Sequence, residues 1–298
     1  MTRSKKKPMK DPSFKTMKAD YYPVQRHVNL RSSATEADYY VLDVARNLSV
    51  VNHRLYRQGK TYNVKVDLNP GASATTYSVF ALVDTWYIQK AWQLAKATYD
   101  RSTADERALM SKNNIARWED FRVDAGLSGH AGGQLIPAPF SNAMASAADT
   151  AGEFELSRIT LADGTTQRTF SWGAGATAFN IITEYDASGN TDFSPSTLPS
   201  SQPYDETDGD VSADQISDLA AIGNAPPYDA SAFNSRVWVR VGVLDAGPDG
   251  KLSTGYFHAP CGLVVVQPAA ASTAITTQLS LTVQAGDYKG VKAMNMGV

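Results

Sequence analysis

Between Ser235 and Leu244 four valines, Val237, Val239, Val241 and Val243, alternate with Arg236, Trp238 and Arg240. Side chains on a pleated strand point to opposite faces in turn, so this pattern gives a strand with one apolar face, whereas on a helix the valines would scatter around the axis. Thr61 to Leu68 repeats the pattern, with Tyr62, Val64, Val66 and Leu68 facing one way and Asn63, Lys65 and Asp67 the other. A chain with such segments must fold into sheets that bury one face.

The same reading extends along the chain. Asp38 to Asn52 reads as a strand with a bend at Arg46 and Asn47, and Gly59 follows at a turn. Thr75 to Val83 is rich in β-branched and aromatic residues and is set off by Asn69, Pro70 and Gly71. Glu153 to Leu161 and Thr166 to Trp172 flank Ala162, Asp163 and Gly164, an Asp-Gly hairpin signal. Thr177 to Tyr185, Gly255 to Val266 and Ala274 to Gln284 complete a tally of about nine strands.

Helical spacing occurs in one place of any length. Ile88, Ala91, Trp92, Ala95 and Tyr99 share a helix face, and a second helix opens at Thr103, in capping-box register with Glu106, and runs toward Trp118. Two consecutive helices after three strands do not make the strand-helix alternation of a parallel sheet, so residues 85–120 read as a helical insertion in an antiparallel fold. Ala125 to Asp149 is a Gly-, Ala-, Ser- and Pro-rich connector. Ser188 to Asp210, rich in Ser, Pro and Asp, begins an exposed excursion near 188–230 that includes a short helix from Ser212 to Ile222, capped by Ser212 or Asp210. No fixed-period repeat points to a propeller or solenoid. The expected fold is an all-β, antiparallel jelly-roll sandwich with helical insertions.

Charge divides the chain sharply. Residues 1–31 hold nine cations, Arg3, Lys5, Lys6, Lys7, Lys10, Lys15, Lys18, Arg26 and Arg31, against Asp11 and Asp20, a net +7. Of the chain's 28 Lys and Arg and 30 Asp and Glu, the rest keeps 19 and 28, a body of −9. With Pro8, Pro12 and Pro23 and few apolar residues, the arm cannot offset its ordering entropy and is expected to be disordered alone. Such a strap suits a polyanion whose sequence is immaterial, because binding comes mainly from counterion release. The nine cations are the expected nucleic-acid-binding residues, and Arg3 to Pro8 would equally serve as a nuclear-import signal. Residues 32–298 form the expected body.

Little points to catalysis. His27, His53, His130 and His258 are far apart, and no nucleophile elbow, P-loop or dinucleotide fingerprint occurs, so no catalytic residue, metal or cofactor is expected. Cys261, the single cysteine, permits no internal disulfide and reads as a small core residue. No apolar run is long enough for a membrane-spanning helix, and no apolar segment follows the charged N-terminus as in a secretory signal. Asp245, Gly247, Asp249, Gly250 and Ser253 echo a calcium loop, but Gly247 and Tyr256 stand where two ligands belong, and a turn needs the same residues. Asp205, Glu206, Asp208, Asp210 and Asp214 form an acidic cluster, read as a solvated loop or a cation site at a subunit contact. Arg54, Tyr56, Arg57, Lys60, Lys90, Trp92, Lys96, Arg117, Trp118 and Arg122 mix cations and aromatics, which suits a protein interface or the bases of a single strand, or plain helix-to-sheet packing.

The run Arg54, Leu55, Tyr56, Arg57, Gln58, Gly59 with Tyr62, then Asp84 to Ala97 and Ile115 to Arg122, together with the basic arm, resembles coat proteins of small icosahedral viruses, most closely those of circular single-stranded DNA viruses of the bacilladnavirus kind. The likeness covers about the first 125 residues. It implies a jelly-roll shell domain, self-assembly of many copies into a closed virion, and an interior arm on a genome of single-stranded DNA, or of RNA. It implies no catalytic residues and no membrane partner, with assembly in the host nucleus or cytoplasm. The alternatives are a non-assembling single-strand-binding protein, and a β-sandwich enzyme or ligand-binding protein whose basic tail is an address.

Overall fold

The computed structural model describes residues 23–32, 39–69, 76–109, 118–126, 134–138, 155–161, 164–173, 177–187, 237–247, 250–269 and 276–297. Its strands are β1 (His27–Ser32), β2 (Tyr40–Asp43), β3 (Lys60–Leu68), β4 (Tyr77–Leu82), β5 (Leu135–Pro137), β6 (Arg158–Thr160), β7 (Gln167–Ser171), β8 (Ala178–Asn180), β9 (Trp238–Leu244), β10 (Phe257–Ala259), β11 (Leu263–Pro268), β12 (Thr276–Val283) and β13 (Ala293–Asn295). The helices are α1 (Val44–Asn52), α2 (Trp86–Ser102), α3 (Ala104–Leu109) and α4 (Ile181–Ala187). Among the described residues no helix is long and apolar enough to cross a membrane.

Two antiparallel sheets dominate. The first runs β10-β3-β12-β1-β5, with β13 also on β3, and the second runs β2-β11-β4-β9. The pairs β1 with β12, β2 with β11, β3 with β10 and β4 with β9 are nested in the sequence, so the chain pairs like one long hairpin with β4 and β9 nearest its tip. Val64, Val66, Leu68, Leu279 and Leu281 from the first sheet share a core cluster with Leu42, Tyr77, Val79, Val264, Val266 and Leu244 from the second. Each such side chain contributes about 1.5–3 kcal/mol when fully buried.

The second sheet is also covered on its other face. There Val41, Leu263 and Val265 pack with Tyr87, Ile88, Ala91, Trp92 and Ala95 of α2 and with Phe121, Phe170 and Ile181. Leu263 to Val266 are therefore buried on both faces, which explains their unbroken apolar run. A third sheet, β6-β7-β8, carries the expected hairpin. Leu161 N–H donates to Thr166 O, and Gly164 takes the left-handed conformation (φ +71°) that the turn needs.

Several expectations are corrected. Asp38 to Asn52 is not one bent strand but β2 followed by α1, because Asp43 caps the helix by accepting from Arg46 N–H (2.9 Å) and Val44, Ala45 and Leu48 bury one helix face. Thr177 to Tyr185 likewise splits into β8 and α4, with Asn180 Oδ1 accepting from Ile182 N–H (3.0 Å). Gly255 to Val266 is broken by a 3-10 turn at Pro260–Gly262, where Cys261 has φ +56° and the chain crosses from the first sheet to the second. The connector from Ala125 contains β5, which extends the first sheet beside β1.

The valines of β9 hold a different surprise. Val237 is buried, but Val239 is 49% and Val243 36% exposed, because β9 lies at the end of its sheet and its register shifts opposite Val79 and Phe80. A bulge reverses which side chains face inward. The excursion near 188–230, the helix at Ser212 to Ile222 and the acidic cluster at Asp205 to Asp214 lie outside the described residues.

Candidate functional site

Of the nine cations expected on the arm, Arg3, Lys5, Lys6, Lys7, Lys10, Lys15 and Lys18 lie outside the described residues. Arg26 and Arg31 do not belong to an arm at all. Arg31 is half-buried in β1, opposite Thr276 on one side and Ile136 on the other, and Arg26 Nη1 donates to Gly290 O (3.0 Å). The boundary expected at Arg31 therefore moves toward the N-terminus, since Val28 and Leu30 are apolar enough to join the core and draw the chain into the sheet.

Where β1 begins, three segments meet. Gln25 N–H donates to Asn52 Oδ1 (2.8 Å) and Asn52 Nδ2 to Gln25 O (3.1 Å), which ties the incoming chain to the end of α1. His53 then closes α1 in the left-handed conformation, its N–H bonding Ser49 O, and turns the chain into Arg54 to Gly59. Three tyrosines hold that run, two of them against the segment before β13. Tyr56 OH donates to Lys289 O (2.9 Å), Tyr62 OH donates to Arg57 O (2.7 Å), and Tyr288 OH accepts from Arg57 N–H (3.2 Å). Their rings meet edge to face, with Tyr288 6.1 Å from Tyr56 and 6.4 Å from Tyr62.

Outside this tyrosine cluster stand cations. Lys60 Nζ lies 4.2 Å and Lys289 Nζ 5.4 Å from the centroid of Tyr288. Lys60 also donates to Asn295 Oδ1 and Lys289 to Leu55 O. Burial, and then the charge of Arg57, pushes the Lys60 ammonium below its ordinary pKa. Lys289 is pushed down by burial and then by Arg57, Arg54 and Lys60, with Asp120 acting the other way. Arg57 and Arg54 are exposed.

Arg57, Lys60, Tyr288 and Lys289 stand at one end of an open cavity of ≈ 860 Å³ that reaches across to α2, where Trp92, Gln93, Lys96 and Asp100 line it. Gly59 forms part of its floor, and a Cβ there would come within 2.7 Å of the Trp92 ring. At the far end charges are matched: Lys96 pairs with Asp100, and Arg107 with Asp100 (3.5 Å) and Glu119. At the near end the buried Asp120 accepts from Gln58 N–H (2.7 Å) and from Arg57 Nη1 (3.5 Å), and burial holds its carboxyl above the usual range. The cavity is thus balanced on one side and cationic on the other.

The expected cation and aromatic group is divided by the fold. Arg57, Lys60, Trp92 and Lys96 line the cavity, while Tyr56 is core. Arg122 is buried and pairs with Asp43 (3.0 Å), while Lys90 and Trp118 are exposed and Arg117 lies outside the described residues. Tyr288 and Lys289 were not foreseen, because nothing in Asp287, Tyr288, Lys289, Gly290 marks more than a turn. Gln58 was noted only as part of a run, yet its buried amide holds both Val123 N–H (2.6 Å) and Val123 O (3.1 Å), like a short stretch of strand.

The other sites considered read as structure. Asp245 Oδ1 accepts from Gly247 N–H (3.0 Å) within its own turn, and Asp249 lies outside the described residues, as does His130. His258 Nδ1 approaches Asp84 Oδ2 (3.2 Å) at the surface and His27 Nδ1 approaches Thr282 Oγ1 (3.0 Å). Cys261 is buried, and burial raises its thiol well above the ordinary pKa. Among the described residues there is no group of three or more His, Cys, Asp or Glu side chains placed to hold a metal. No protein-family model, no curated protein and no solved structure matches the chain.

Proposed function

We propose that this chain is the coat subunit of a small icosahedral virus, which assembles into a closed shell and holds its genome through the basic N-terminal segment. The observation that carries the reading is the nested strand order. Eight strands paired as a single long hairpin and divided between two facing antiparallel sheets support a jelly roll, an architecture used by capsid, lectin and cupin domains. A fold shared by so many activities does not choose among them. The charge division supports the coat reading: with the boundary moved, residues 1–22 carry +5 ahead of a body of −7, as suits a wall with a polyanion on one side. Exposed Trp86, Leu109, Trp118 and Val239 offer apolar area for contacts between copies.

Assembly gathers many weak cationic segments into one space, so that each binds at high effective concentration. Negative-stain microscopy of the purified chain, with its absorbance ratio at 260 and 280 nm, tests the reading. Closed particles containing nucleic acid are the expected result, and one small species free of nucleic acid overturns it. Removing residues 1–22, ahead of the described body, should leave particles that hold less nucleic acid. The cavity of ≈ 860 Å³ favours a second reading, a ligand-binding β-sandwich, for which the same truncation would leave ligand binding intact.

A further inference from the structure

We infer that Arg57, Lys60 and Lys289, gathered about the Tyr288 ring at the end of the cavity, form a phosphodiester site of the folded body that takes up single-stranded nucleic acid next to the N-terminal segment. The inference rests on the reading that the chain holds nucleic acid, but needs no closed shell.

The first support is the surplus of charge. Asp100 and Glu119 are engaged by Lys96 and Arg107 at the opposite end of the cavity, and Asp120 is buried beneath Arg57. Burial first, and then the charge of Arg57, make Lys60 and Lys289 bind their protons less tightly than free lysines, so repulsion between neighbouring cations is part of what this end of the cavity carries. A phosphate entering among them turns that repulsion into attraction.

The second is placement. The Tyr288 ring holds both ammonium groups by its face, and the bonds from Tyr56 and Arg57 hold the ring's own segment, so the donors are fixed before a ligand arrives. The Arg57 side chain is 55% exposed and presents its guanidinium to solvent. Nothing in the group reads a base. Its selectivity is for the backbone, as expected of a protein that accepts any sequence.

The third is continuity. Arg26 bonds the carbonyl of Gly290, the residue after Lys289, and Gln25 bonds Asn52, two residues before Arg54. The cationic N-terminal segment therefore joins the body beside this cluster, and one strand of nucleic acid can pass from the first to the second.

The test uses the full chain and a labelled oligo-dT, with affinity measured by fluorescence anisotropy over a range of salt. Each phosphate contact on a single strand adds about 0.7 to the slope of log affinity against log salt. Lys60→Gln with Lys289→Gln should lower the slope by about 1.4, Lys60→Gln alone by about 0.7, and Lys60→Arg with Lys289→Arg should leave it unchanged. The single variant preserves the test if the double one unfolds through loss of the Leu55 contact. An unchanged slope in folded glutamine variants overturns the inference. If Lys5→Gln, Lys6→Gln, Lys7→Gln then does lower the slope, the genome-holding reading stands without it. A wild-type chain that binds heparin but no oligo-dT overturns both.

Discussion

The interior between the two large sheets and the seam around the cavity are built on opposite plans. In the first, Val64, Val66, Leu279, Leu281, Val264 and Val266 meet with no polar group among them, and any set of apolar side chains of similar volume would fill the space nearly as well. In the seam buried polar side chains are held by partners that fit them. Gln58 serves Val123, Asp43 serves both Arg46 and Arg122, and Asp120 serves Gln58 and Arg57. The difference teaches where this molecule spends specificity: apolar burial holds the sandwich together, and polar pairing fixes the segments that bring the cations together.

Asp43→Ala should be the most damaging change, because it removes the α1 cap and leaves Arg122 buried without its carboxylate. A loss of about 3–5 kcal/mol in denaturant unfolding is expected, with Asp43→Asn, which retains a cap, losing less. A loss under about 1 kcal/mol would mean that the seam is as tolerant as the sandwich. Leu281→Ala should cost about 2–5 kcal/mol through the cavity it leaves, while Leu281→Met should cost under about 1.5. Equal losses for the two would break the claim that volume alone matters there.

Gly59→Ala brings a methyl group against Trp92 and should cost about 1–3 kcal/mol, visible as a lower unfolding midpoint and altered tryptophan fluorescence. The smallest effect concerns pH. Since the Asp120 carboxyl is raised in the fold, the unfolded chain releases this proton first. Its contribution to stability is full below about pH 4 and declines as pH rises through the folded value. Asp120→Asn should therefore gain on wild type as the pH is raised from about 4, and a stability difference that stays flat with pH would show that burial does not shift this group.

The same contrast governs what could be read ahead of the structure. β3 was legible because it is a central strand, flanked by β12 and β10, and its alternation coincides with burial. β9 alternates more cleanly still, yet being at an end of its sheet and bulged it exposes two of its valines. Alternation reports a strand and leaves open which face the fold covers. Asp43 escaped notice as a helix cap because the apolar residues after it, Val44, Leu48, Val50 and Val51, satisfy a strand pattern as readily as a helical one. Of the cationic cluster, Arg57 and Lys60 stood in one recognisable run, but Lys289 is more than two hundred residues away and entered the site through the pairing of β13 with β3.

The order of residues by itself determined that this chain makes antiparallel strands, places its two consecutive helices between them, and separates a positive beginning from a negative body. Those properties follow from local periodicity and from the charge each residue brings, and neither depends on a distant neighbour. Only the tertiary structure decided the nesting of strands, the drawing of Arg26 and Arg31 into the body, and the meeting of Lys60 and Lys289 on one tyrosine. Each of these depends on which distant segments come to share a sheet, and that is settled by how the whole chain buries its apolar faces at once.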